Sequence, residues 1–139
     1  MKIHKIQEDI SSEVASSFKD SVAIDTEATG LLIPERDKLS LVQICGDGSE
    51  VYIVQPDRTN YKMPNLVSVL ENDKIQKIGH FLRFDKSALE YFLKCKIKNE
   101  LEKMLIRENR MNIYKKCLDF LDTRIELDQK GFKFSIFEH

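Results

Sequence analysis

The chain has 139 residues, of which 42% are hydrophobic and 32% charged, with a formal net charge of −1. That length suits a single domain with its own core, and the composition excludes a disordered chain. No apolar run approaches the length of a membrane span, and the opening MKIHKIQED lacks the apolar block of a signal peptide, so a cytoplasmic protein is expected.

Taken in order, Lys2 to Ile6 forms a short edge strand in this reading, and Ser11/Ser12 open a short amphipathic helix through Val14 and Phe18. Val22 to Gly30 reads VAIDTEATG, a β-branched run of the kind that builds a buried strand. It ends on Asp25 and Glu27. Strand side chains alternate, so these two carboxylates share a face with Ala23, roughly 6–7 Å apart, while Val22 and Ile24 point the other way. Leu31 to Asp37 is a loop containing Pro34. Leu39 to Cys45 and Val51 to Val54 are two β-rich runs split by Gly46-Asp47-Gly48, a hairpin signal. Pro64 starts a helix through Leu66, Val69 and Leu70; Ile75 to Gly79 is a further strand; a helix follows from about Arg83 to Leu93. The segment from about 99 to 129 carries Leu101, Met104, Leu105, Leu118, Leu121 and Ile125 at helical spacing, and a long helix is expected there. The class is therefore α/β with a helical C-terminal part, divided as a core over 1–93 and a tail over 94–139.

Three features bear on chemistry. Asp25 and Glu27 repel each other at the end of a buried strand, and a hard cation bound by oxygen ligands would relieve that cost; the bland alternative is a solvated loop. In the helix after Gly79, Asp85 lies on the same stripe as Phe81, Ala88, Leu89 and Phe92, where a carboxylate is expensive unless paired. Arg83 and Lys86 looping round, or a metal shared with the Asp25/Glu27 strand, are the two ways to pair it. Charge is also uneven: residues 1–93 hold 11 basic and 15 acidic groups, residues 94–139 hold 11 and 8. Lys94, Lys96, Lys98, Lys103, Arg107, Arg110, Lys115 and Lys116 carry the excess, which fits either a phosphate-binding face or a solvated helix. Cys45, Cys95 and Cys117 are odd in number and widely spaced, so free thiols are expected rather than disulfides or a zinc site.

Together, DTEATGL at 25–31, LSLVQI at 39–44 and GHFLRFD at 79–85 resemble the first and second motifs of the DEDD superfamily, most closely the ribonuclease D-like 3′–5′ exonucleases. The closing stretch from Leu101 resembles the carboxyl end of its short bacterial members. The resemblance implies a ribonuclease H-like mixed sheet flanked by helices. It also implies two-metal hydrolysis of a 3′-terminal phosphodiester, with Mg2+ or Mn2+ at two sites in the family and at one or none here. Asp25, Glu27 and Asp85 match the catalytic, metal-holding carboxylates. Leu31 matches a hydrophobic side chain packed near the terminal base, and His80, Arg83, Lys103, Arg107 and Arg110 join it as nucleic-acid contacts.

The third motif is missing. In the family a Tyr stands four residues before the fourth carboxylate, or a His about five before it. Tyr61, Tyr91 and Tyr114 are followed four later by Asn65, Cys95 and Leu118. His80 stands five before Asp85, which the second motif already uses. The strand and helices that carry the third motif are read as removed between Phe92 and Leu101, leaving an incomplete sheet. Asp119 or Asp122 could replace the acid, although a solvated helix face is the preferred reading for both. The expectation is a ribonuclease D-like enzyme of weak or impaired activity on RNA 3′ ends, ahead of DNA, with a homodimer through the incomplete sheet. The alternative is a catalytically inactive nucleic-acid-binding remnant.

Overall fold

A computed structural model describes residues 2–30, 32, 37–46, 49–79 and 82–102. Its elements run β1 (Lys2–Gln7), α1 (Ser12–Ser17), β2 (Ser21–Ala28), β3 (Leu39–Cys45), β4 (Glu50–Gln55), α2 (Pro64–Leu70), β5 (Gln76–Gly79), α3 (Leu82–Leu93) and β6 (Glu100–Glu102). The strands form one mixed sheet in the order β1-β4-β3-β2-β5-β6. β2, β3 and β4 make an antiparallel meander, with β1 parallel to β4 on one side and β5 parallel to β2 on the other. This is the α/β mixed sheet flanked by helices that the motifs implied.

Alternation along the strands sorts the two faces. Val22 and Ile24 of β2 join Val42, Ile44, Tyr52 and Val54 in one core cluster with Leu66, Val69 and Leu70 of α2 and Ala88 and Leu89 of α3. Asp9 sets the seat of α2: Oδ2 accepts from the Asn65 N–H at 2.8 Å and Oδ1 from the Leu66 N–H at 3.1 Å. These are two of the N-terminal donors a helix leaves unsatisfied. Met63, in the N-cap position, makes no side-chain cap bond, so a distant residue supplies it.

The end of the chain departs from expectation where it is described. Glu100–Glu102 is a strand, parallel to β5 in the register Lys77↔Glu100, Ile78↔Leu101 and Gly79↔Glu102, and so not the start of a helix. The cause is backbone pairing: Lys77 N–H donates to Asn99 O at 2.8 Å, and Asn99 takes a left-handed φ of 65° that turns the chain into the ladder. Lys77 adds its own clamp. Its fully buried Nζ donates to Asn72 O at 2.5 Å and to Lys98 O at 2.9 Å. The remainder of the expected helix, from residue 103, lies outside the described residues.

Among the described residues no helix is long and apolar enough to cross a membrane. Cys95 is a buried free thiol, as expected, and burial pushes its pKa up to about 11. Cys45 is disulfide-bonded, against the expectation of free thiols, because the count and spacing of cysteines do not fix their redox state in the fold.

Candidate active site

β2 outruns β5. The parallel register ends with Ala23↔Ile78, and Gly79 then closes β5 before α3 begins at Leu82. The glycine permits a close approach. A Cβ there would lie 2.7 Å from Leu82 Cδ1 and 3.1 Å from Ile24 O, so glycine lets the first turn of α3 settle this close to β2 without displacing the Leu82 side chain.

That turn carries Asp85, only 4% exposed and on the buried side of α3 with Leu82, Ala88 and Leu89. Asp85 Oδ1 accepts the Thr26 N–H at 3.0 Å and, in a short hydrogen bond, the Thr26 hydroxyl. These bonds and the positive end of the helix offset the cost of burying a carboxylate. Lys86 does not loop back to it: its Nζ pairs with Glu100 at 2.7 Å. Arg83 is exposed on the opposite side of the first turn.

The Thr26 N–H is shared. Asp25 Oδ1 also accepts it at 3.0 Å, so Asp25 and Asp85 oxygens lie no farther apart than twice that distance. Two carboxylates remote in sequence thus meet at the exposed end of β2. Glu27 sits two residues farther along the same strand and, like Asp25, is partly exposed. Among the described residues no three His, Cys, Asp or Glu side chains gather tightly enough to hold a metal ion together. Asp25 and Asp85 form the converged part, with Glu27 a step beyond. Leu31, His80, Lys103, Arg107 and Arg110 lie outside the described residues.

Two residues escaped the sequence reading. Thr26 stood in DTE as a spacer, yet it orients Asp85; a hydroxyl on the apolar face of a strand was the available signal. Gln43 is the second. It is fully buried and sits directly across β3 from Asp25, on the same face. Neither amide atom has a hydrogen-bond partner among the described residues. An amide inside the apolar run LSLVQIC was its signal.

The loop beyond the site is tied by its own acid. Asp37, buried, accepts the Thr29 hydroxyl at 3.2 Å and the Leu32 N–H at 2.9 Å, against Gly30. The donor set at the strand end is all oxygen, two of its carboxylates converge, and an amide with no hydrogen-bond partner among the described residues borders it. Those features fit a hard divalent cation.

Residues 3–118 match the 3′–5′ exonuclease family. Comparison with curated protein sequences gave no match. Among solved structures, NrnC of Brucella melitensis is similar at a TM-score of 0.69 and 23% identity, covering 98% of this chain and 87% of that one. The same protein has been solved with bound Mg2+ and with pGG. Escherichia coli RNase D is similar at a TM-score of 0.53 and 19% identity over 66% of this chain and 23% of that one. Trypanosoma brucei RNase D in complex with RNA U12 is similar at 0.53 and 23%, over 70% and 37%. At these identities the structural likenesses speak to the fold; the family match spans most of the sequence, and the chain belongs to the 3′–5′ exonuclease family.

Proposed function

We propose that this protein removes nucleotides from the 3′ end of RNA by metal-dependent phosphodiester hydrolysis, at a reduced rate. The observation that carries the reading is the family match over residues 3–118. The meeting of Asp25 and Asp85 at one backbone N–H supports it, because those residues stand in the two motifs that supply carboxylates. The relatives solved with pGG and with RNA U12 favour an RNA substrate.

Asp25, Glu27 and Asp85 would hold Mg2+ or Mn2+. When bound, such a cation activates water and neutralises charge on the phosphate. Thr26 anchors one oxygen of Asp85, which fixes the orientation of that carboxylate. Arg83, exposed in the first turn of α3, is free to meet a phosphate oxygen, and the basic residues Lys103, Arg107 and Arg110 extend that role along the backbone of the substrate. Leu31 and His80 complete the contacts to the terminal nucleotide. The reduced rate follows from the missing third motif. A general base contributes about 10²–10⁴-fold, and after the second motif no Tyr or His in the sequence stands at the family's spacing from a fourth acid. Self-association through the sheet belongs to the same proposal.

A second reading, a nucleic-acid-binding protein without catalysis, is favoured by one observation: the three carboxylates do not form a single metal-holding group among the described residues. One experiment separates the two. Hydrolysis of 3′-labelled RNA is followed with Mg2+ or Mn2+, for wild type and Asp25→Ala. Release of mononucleotides by the wild type alone supports catalysis. Equal rates exclude catalysis at this site, and salt-sensitive RNA binding by both proteins then supports the second reading.

A further inference from the structure

We infer that Gln43 is a positioning residue, whose buried side-chain amide, opposite Asp25 and not hydrogen-bonded to it in this structure, takes up the Asp25 carboxylate when a divalent cation binds; this rests on the exonuclease reading above. Among the described residues, the polar groups on the face of Gln43 nearest its amide are Asp25, directly opposite on β2, and Glu27, diagonal to it. Along β3 its neighbours on the same face are Leu41 and Cys45, and across β4 it faces Ile53, which is fully buried. Across β2 it faces Asp25. Directly opposed residues of an antiparallel pair have Cβ atoms about 4.5–5.5 Å apart, within reach of a glutamine amide.

Burial makes the amide conspicuous. Gln43 has no accessible surface, and both its Nε2 and its Oε1 lack hydrogen-bond partners among the described residues. A polar group buried that way is destabilising, and an apolar side chain of the same length would fit the strand better. Thr26 fixes Asp25 from one side, through its N–H to Oδ1. Gln43, from the neighbouring strand, is placed to fix it from the other. A carboxylate held on both sides presents its remaining lone pairs in one direction, which is what a cation with a strict coordination geometry needs.

The test is Mn2+ binding by titration calorimetry and thermal unfolding with and without Mn2+, on wild type, Asp25→Asn, Gln43→Met and Gln43→Leu. Two apolar replacements of different shape separate loss of the amide from a packing fault. The expected result is that the Gln43 variants unfold, without metal, at or above the wild-type temperature, yet bind Mn2+ about tenfold or more weakly. A merely structural glutamine would move the unfolding temperature and leave the affinity alone. Wild-type affinity in either folded Gln43 variant, with binding lost in Asp25→Asn, overturns the role of Gln43 and leaves the exonuclease reading standing. Absence of Asp25-dependent Mn2+ binding in the wild type overturns both.

Discussion

Thr26 and Asp85, 59 positions apart in sequence, are joined by two hydrogen bonds that end on the same carboxylate oxygen. The strand therefore holds the helix through the atoms that carry the proposed chemistry. Thr26→Val keeps the shape of the side chain and removes the hydroxyl, leaving a buried carboxylate short of a donor. We expect a loss of about 1–3 kcal/mol in unfolding free energy, measured by urea denaturation, together with weaker Mn2+ binding. Thr26→Ser restores the donor and should recover most of both. If Thr26→Val is as stable as wild type, the bond contributes nothing.

Gly79 governs how near that helix approaches. In Gly79→Ala the new methyl group pushes the Leu82 side chain aside and crowds Ile24 O, so the start of α3 and the end of β2 must ease apart by a few tenths of an ångström or Leu82 must repack. The overpacking should cost about 1–3 kcal/mol. Because Asp85 rides on the same turn, activity on 3′-labelled RNA should fall by more than a residue so far from the substrate would otherwise warrant. A stable Gly79→Ala protein with full activity would show that the close approach is not needed.

Asp9 offers a control remote from the carboxylates. Its side chain accepts from Asn65 and Leu66 at the start of α2, so Asp9→Ala should destabilise the fold by about 1–2 kcal/mol, as for a lost helix cap. Metal affinity should not change. A shift in Mn2+ binding in this variant would mean that stability and the site are coupled through the core.

Much of this arrangement is legible in the sequence because it rests on local patterns. The run ending in Asp25 and Glu27, the paired runs around Gly46, the helix opened by Pro64 and the helix bearing Asp85 each have the periodicity of the element they form. What is not legible depends on partners far along the chain. β6 is three residues long and is made a strand by the backbone of β5, not by its own side chains. Thr26 gains its role only when α3 packs beside it. Gln43 reads as a polar residue in a strand until the register sets it opposite Asp25. The cap on α2 comes from Asp9, more than fifty residues away. Periodicity reports the environment of an element; it does not name the residue across from it.

Lys77 gives a prediction in pH. Burial drives its pKa down from 10.5 to about 8, partly opposed by Asp73 and Glu100. Below pH 8 both folded and unfolded chains carry the ammonium, and the folded state bears the full desolvation cost. Between pH 8 and 10.5 the unfolded chain keeps a proton that the folded chain has released, so this group makes stability rise with pH. The whole effect is on the order of 3 kcal/mol. Other lysines and tyrosines titrate in the same range, so the useful quantity is the difference between wild type and Lys77→Met. Measured by urea unfolding at a series of pH values, that difference should move in favour of the wild type as pH is raised from 7 to 10. The neutral amine still carries two hydrogens, enough for the carbonyls of Asn72 and Lys98 that it bridges, so the clamp on the turn before β6 persists. A difference that stays constant over this range would mean that Lys77 titrates in the folded chain as an ordinary surface lysine does, and that its burial in the sheet carries no electrostatic cost.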